Sequence, residues 1–486
     1  MTISTVAAVL ALFTLYPAAS AAVTCFGAAP TMSGTSASET IDGTSGDDVI
    51  VGLGGNDTIN GMGGNDLICG GAGNDTMNGS SGADQLAGGA GDDTYNGGLG
   101  RDLAAFPSAS GGVLASLSTG TAVGDGTDSL IAIENLTGSS GDDILVGNDR
   151  PNTLTGLAGA DQLSGFDNGT TPDRLLGGPG NDQMDGGSGD DVLTGGTGID
   201  TASFATSLAP VTVDLAGGTA EGDGSDKLSS IEAAEGSEQG DVMIGRASLA
   251  SGIDGRGGSD TITGGDAADV LRGGSGQDTI EGNGGNDQID GGGFNEGDTI
   301  LYVDASGSVT VDLTLGVASG SDGNDTIVNV NNVTGSNFDD DITGNDLSNV
   351  LVGGSGDDTL SGLAYLDTLY GQGGADTLDG GADGDTVAYD DAATVSAVNV
   401  DIDAGTASGG AGVDTLIAIE NINGSPFGDV LQGDENANTI KGFAGNDTLR
   451  GRAGNDYLDG GDGTDTVDGG TGTGDTCYGE SLFNCP

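Results

Sequence analysis

An apolar residue recurs every nine positions between Gly43 and Ala105. The stretch divides without insertion into GTSGDDVIV, GLGGNDTIN, GMGGNDLIC, GGAGNDTMN, GSSGADQLA, GGAGDDTYN and GGLGRDLAA. Gly holds the first and fourth places and Asp the sixth in all seven units, with an apolar residue at the eighth. So short a unit cannot bury an apolar face alone, so neighbouring units must stack. Two units per coil, each a turn and a short strand, direct Ile50, Ile59, Ile68, Met77, Leu86 and Tyr95 inward and leave the seventh and ninth places to water. The expected fold class is all-β, a right-handed parallel β-roll or β-helix solenoid.

A longer repeat overlies the short one. Asp-led apolar tracts (DLAAF at Asp102, DTASF at Asp200, DTILY at Asp298, DTVAY at Asp385) each open a segment with period-two alternation, such as Val211, Val213 and Leu215. Each segment ends in an IEN-like triplet, and a Gly-Ser pair restarts the nonapeptides at Gly138, Gly236, Gly335 and Gly424. We expect these interrupters to be wider rungs of one solenoid. The chain then divides into a signal peptide (1–21), an N-terminal cap segment (22–42), a continuous solenoid (43–476) and a disulfide cap (477–486). The nonapeptide blocks are 43–105, 138–203, 236–301, 335–388 and 424–475. The signal peptide rests on the apolar run Val6–Leu15 and the small residues before Ala22, and it predicts a secreted, extracellular protein.

Composition changes the picture in one respect. Acidic residues number 75 against ten basic ones, a net charge of −65, so the chain repels itself unless cations are bound. No Lys/Arg cluster exists to meet phosphates, which excludes nucleic acid, and no transmembrane anchor is expected. The sixth-place aspartates are the candidate ligands. One carboxylate per coil on each edge, beside Gly-rich turns that expose carbonyls, suits calcium, a hard cation that takes six to eight oxygens. Asp48, Asp66, Asp84 and Asp102 line one edge, with Asp57, Asp75 and Asp93 on the other. The pattern continues in Asp143, Asp161, Asp182, Asp191 and Asp200, then in Asp241, Asp260, Asp269, Asp278 and Asp287. It ends in Asp340, Asp358, Asp367 and Asp376, followed by Asp429, Asp447, Asp456 and Asp465. Asn152, Asn349 and Asn438 replace Asp in three units and suit a hydrogen-bonding rung. Loss of the fourth-place Gly in GLAYLDTLY and GGDAADVLR is expected to weaken those turns, and insertions at 165–176 and 291–301 to bulge outward.

The motif GGxGxDxUx, as in GGAGNDTMN, GGSGDDVLT, GGSGQDTIE and GGSGDDTLS, resembles the RTX or hemolysin-type calcium-binding repeat family. The resemblance implies a roll loaded with multiple Ca2+ ions, in which the sixth-place Asp and turn carbonyls are ligands. It also implies a neighbouring toxin, protease or lipase domain and a C-terminal secretion signal. Instead this chain has an N-terminal signal and a tail, CYGESLFNCP, that carries two cysteines.

Cys25, Cys69, Cys477 and Cys485 allow three disulfide connectivities, of which Cys25–Cys69 with Cys477–Cys485 closes the shortest loops. Without a single histidine, His-based triads and HExxH zinc sites are excluded. The expected function is a non-catalytic calcium-folded structural or adhesion module, with an extracellular glycan or surface as a further partner. The alternatives are a β-helix polysaccharide lyase or epimerase and an ice- or mineral-binding adhesin.

Overall fold

The computed structural model describes residues 23–166, 171–391, 393–410 and 412–485. The expected signal peptide, 1–21, lies outside them. The chain divides into two compact units, one ending at Ser139 and the other running from Ser140 to Pro486. Each is an all-β solenoid of stacked parallel strands, and the described residues contain no helix.

In the first unit Val49–Gly54, Leu67–Ala72, Gln85–Ala90 and Leu103–Ala105 pair in parallel. Thr40–Asp42, Thr58–Asn60, Thr76–Ser81 and Thr94–Leu99 form the facing sheet. Ile50 pairs with Ile68 and Ile68 with Leu86, while Ile59 pairs with Met77 and Met77 with Tyr95. This shift of eighteen residues stacks like on like. The eighth-place side chains fill the interior at 0–1% exposure, from Ile50 to Tyr95. The ninth place departs from expectation at Val51 and Ala87, which are buried. There the N-terminal residues Val23 and Phe26, held by the Cys25–Cys69 disulfide, line a pocket over the outer face with Val51 and Ala87.

The interrupters belong to the sheets, as expected, but their middle strand runs the other way. Leu114–Ser116, Thr121–Val123 and Thr127–Ile131 form an antiparallel meander whose last strand rejoins the parallel stack beside Thr94–Leu99. Short connections impose this, because adjacent strands joined by a tight turn must be antiparallel, whereas parallel neighbours need a crossover. The second unit repeats the device three times, at 212–229, 309–328 and 398–417. In each, the first strand pairs forward with the next coil (Val213 with Met243, Val311 with Ile342, Val400 with Leu431). The last strand pairs back, Leu228 with Leu193, Ile327 with Ile289 and Leu416 with Leu378.

Parallel pairing starts upstream of Gly43, where Met32 and Ser33 lie beside Ile50 and Val51. It continues through the tail, where Thr476–Tyr478 pairs with Tyr457–Asp459 and Ser481–Phe483 with Thr466–Asp468. The disulfides are Cys25–Cys69 and Cys477–Cys485.

Candidate metal centre

The sixth-place aspartates are buried as deeply as the aliphatic column. All those named from the sequence are at most 6% exposed, and Asp66, Asp84, Asp102 and Asp200 are fully buried. The seventh-place strand residue follows directly, so the strand's alternation turns the sixth and eighth side chains to the same, inner side.

Each carboxylate ties two coils together. The main-chain N–H of Asp48 donates to Asp66 Oδ1 (2.8 Å), that of Asp66 to Asp84 and that of Asp84 to Asp102. On the other edge Asp57 donates to Asp75 and Asp75 to Asp93. In the second unit the same bond runs from Asp143 to Asp161, Asp182 and Asp200 in turn. It also joins Asp241, Asp260 and Asp278, Asp269 and Asp287, and Asp340, Asp358 and Asp376. The last block joins Asp429, Asp447 and Asp465, while Asp191 and Asp456 accept from Asp173 and Asn438.

The ladders contain acids that the nine-residue spacing did not mark. Asp173, Asp298 and Asp475 occupy the same place where insertions break the count, and Asp385, nine residues after Asp376, lies on the count although it is not among the ligands named above. Asp128, Asp226, Asp325 and Asp414 close ladders within the interrupters, accepting from Asp93, Asp191, Asp287 and Asp376. Glu134, Glu232 and Glu420 of the IEN-like triplets and Glu480 of the tail close others. The interrupter acids were detectable, since Gly126-Thr-Asp128-Ser-Leu130 retains the Gly-x-Asp-x-apolar half of the repeat.

The second carboxylate oxygen separates the turns into two states. In one, Oδ2 is buried without a hydrogen-bond partner, as at Asp57, Asp66, Asp75, Asp84, Asp93, Asp102, Asp161, Asp182 and Asp200. The same holds for Asp260, Asp278, Asp287, Asp298, Asp358, Asp367, Asp376, Asp385, Asp447, Asp456, Asp465 and Asp475. These open turns carry left-handed backbone at the second place and, except at Asp475, again before the Asp, as in Gly71 (φ 114°) with Gly73 (φ 126°). In the other state the N–H four residues back caps the oxygen. Thr44 donates to Asp48 Oδ2 (2.7 Å), Ser237 to Asp241 (2.6 Å), Gly265 to Asp269 (2.7 Å), Ser336 to Asp340 (2.5 Å) and Ser425 to Asp429 (2.6 Å). Asn152, Asn349 and Asn438 are capped in the same way by Asn148, Asn345 and Asp434. Asn349 and Asn438 also donate through Nδ2 to the carbonyls of Asn331 and Glu420, one coil before.

The two units expected to weaken through loss of the fourth-place Gly diverge. GGDAADVLR closes through Gly265, whereas GLAYLDTLY keeps the open backbone with Leu363 at φ 80° and Tyr365 at φ 73°. Left-handed Leu and Tyr are strained there, which is the form the expected weakening takes.

Oxygens converge closely on the open turn. A Cβ on first-place Gly70 would collide with Asp75 Oδ2 and lie 2.8 Å from the Gly88 carbonyl oxygen. A Cβ on Gly73 would collide with the Gly55 carbonyl oxygen of the coil before, so main-chain oxygens face the next turn. Burial, partly offset by the donated N–H, lifts Asp260, Asp287, Asp367, Asp376 and Asp447 to about 7. Asp66, Asp75, Asp93, Asp102, Asp161 and Asp358 rise to about 6 for the same reason, with like charge from ladder neighbours adding to it. Coils about 4.8 Å apart bring like charges close enough to repel by roughly 3 kcal/mol per pair at an effective dielectric of about 20. Several such pairs exceed the net stability of about 5–15 kcal/mol typical of a protein. An ionised ladder therefore needs a cation.

Calcium fits this donor set. No group of three or more acidic, His or Cys side chains converges among the described residues, so an ion at an open turn would be held by buried Oδ2 atoms together with main-chain carbonyls. Calcium accepts such oxygen sets in flexible geometry. The model for the RTX calcium-binding nonapeptide repeat (four copies) matches residues 33–68, 70–104, 137–165, 167–202, 253–280, 263–295, 334–364, 352–387, 423–458 and 441–474. Together these cover more than half of the chain. The protein belongs to the RTX calcium-binding repeat family. Its RTX matches fall on the nonapeptide blocks and leave most of each interrupter meander outside, as at 114–131. No curated protein matches the chain.

Proposed function

We propose that this RTX protein is secreted, folds its solenoid on binding extracellular calcium, and serves as a structural or adhesive module without catalysis. The observation that carries the reading is the series of buried, unpartnered Oδ2 atoms repeated coil after coil. A buried carboxylate oxygen without a donor is unfavourable, and a divalent ion bound there links metal affinity to folding. The two disulfides accord with an oxidising compartment, where calcium at millimolar levels suffices for weak sites. Circular dichroism provides the test. The EDTA-treated chain is expected to lose most of its strand signal, and millimolar calcium to restore it. Full strand content in EDTA at neutral pH rejects the proposal.

A further inference from the structure

The two turn states are not scattered along the ladders. The ladder that runs from Asp48 to Glu134 starts with a capped turn. So do those starting at Asp241, Asp340 and Asp429, the heads of the third, fourth and fifth blocks. The companion ladders in the last two blocks start at capped Asn349 and Asn438. Even Glu39, ahead of Asp57, accepts the N–H of Thr35, four residues back.

Residue identity follows turn state. The open turns named above all carry Asp, whereas the capped ones include three Asn and one Ser. At that Ser, the N–H of Arg246 donates to Ser251 Oγ (2.8 Å), and Ser251 donates onward to Asp269. The Arg246 guanidinium sits over this turn, paired with Glu232 and bonded to the Ala250 carbonyl. An ion between coils needs oxygens from the turns on both sides. The first turn of a ladder follows an interrupter or, at Asp48, the rung of Met32 and Ser33, and lacks an open turn before it. Its carboxylate is satisfied by its own backbone, so a neutral amide or hydroxyl serves equally well.

Resting on the calcium reading above, we infer that calcium is held by the open turns, including those of Asp298 and Asp475 that the nine-residue spacing does not mark, and that the capped turns, which lie at the heads of their ladders and extend to a second rung at Asp269 behind Ser251, are metal-free. The five capped aspartates, Asp48, Asp241, Asp269, Asp340 and Asp429, then leave the set of ligands expected from the repeat pattern. The capped turns hold their shape through backbone N–H donors already in place, so the blocks headed by Asp48, Asp241, Asp340 and Asp429 begin on a rung that needs no ion.

The experiment counts bound calcium per chain by equilibrium dialysis on the full-length protein, with strand content followed by circular dichroism in saturating calcium. Asp367→Asn and Asp475→Asn, in open turns, are expected to release at least one ion each. Asp340→Asn, in a capped turn, is expected to keep the wild-type count. Asn349→Asp, which restores charge to a capped turn, is expected to add none, and it gives a second reading should Asp340→Asn fail to fold. Equal losses from Asp340→Asn and Asp367→Asn, no loss from either open-turn variant, or an ion gained by Asn349→Asp overturns the sorting. A wild-type chain that binds no calcium at all defeats the calcium reading itself.

Discussion

At the scale of single residues, glycine carries two separate duties in the nonapeptide. Second- and fourth-place glycines such as Gly71 and Gly73 take left-handed backbone, a role that Leu53, Met62 and Ser80 also fill at some strain. First-place glycines have ordinary φ and are required by space alone, because a side chain there meets the carboxylate five residues on. Gly70→Ala is therefore expected to displace Asp75 and to cost about 1–3 kcal/mol, the range for overpacking a filled interior. Gly54→Ala is the control, since its Cβ would lie 3.5 Å from the Ala72 carbonyl oxygen, an ordinary contact. Calorimetry in saturating calcium compares the two, and equal melting temperatures would contradict the steric role. The sixth-place Asp and eighth-place aliphatic were both apparent in the sequence as positions. Whether an individual Asp is capped was not, because it depends on φ at two preceding residues.

At the scale of elements, turns and hairpins diverged from expectation in different ways. The eighteen-residue coil, two units per turn of the solenoid, keeps the apolar column in register, as a multiple of the nine-residue spacing must. The antiparallel middle strand of each interrupter was missed because alternation marks a strand without its direction. The junctions hold a further hydrogen bond. In the third and fourth copies the hydroxyls of Tyr302 and Tyr389 donate to Asp325 and Asp414 Oδ2 at 3.1 and 2.9 Å. Phe106 and Phe204 hold the matching places in the first two copies. A tyrosine proton, rather than a metal, thus meets the acid closing these ladders. Tyr389→Phe is expected to lower stability by about 1–3 kcal/mol, the cost of leaving a buried acceptor unsatisfied. Urea denaturation in calcium measures this, and an unchanged midpoint would show that Asp414 does not depend on Tyr389.

At the scale of the whole molecule, the net charge of −65 becomes a matter of where protons and ions sit. The folded-state carboxylates at about 6 to 7 lie above their ordinary value of 3.8. Between those limits the metal-free fold holds protons that the unfolded chain has released. The resulting stability is fully present below about pH 4 and is lost as pH rises through 6 to 7. Acidifying the EDTA-treated chain from pH 8 to 5 is thus expected to increase its strand signal. Over the same window the calcium needed for half-maximal folding should fall, because protons already hold part of the ladder that calcium must otherwise neutralise. A strand signal in EDTA that does not change with pH would show that repulsion within the ladders is not what opposes the metal-free fold.

By itself the sequence determined the nine-residue unit, the inward column from Ile50 to Tyr95 and the choice of a hard oxygen-seeking cation. These follow from periodicity and side-chain chemistry, which are local. Only the tertiary structure decided which carboxylate oxygens are free. Asp66 and Asp340 occupy the same place in the same motif, yet Asp66 Oδ2 is orphaned while Asp340 Oδ2 takes the N–H of Ser336. That difference lies in the backbone of the turn and in the coil stacked beside it.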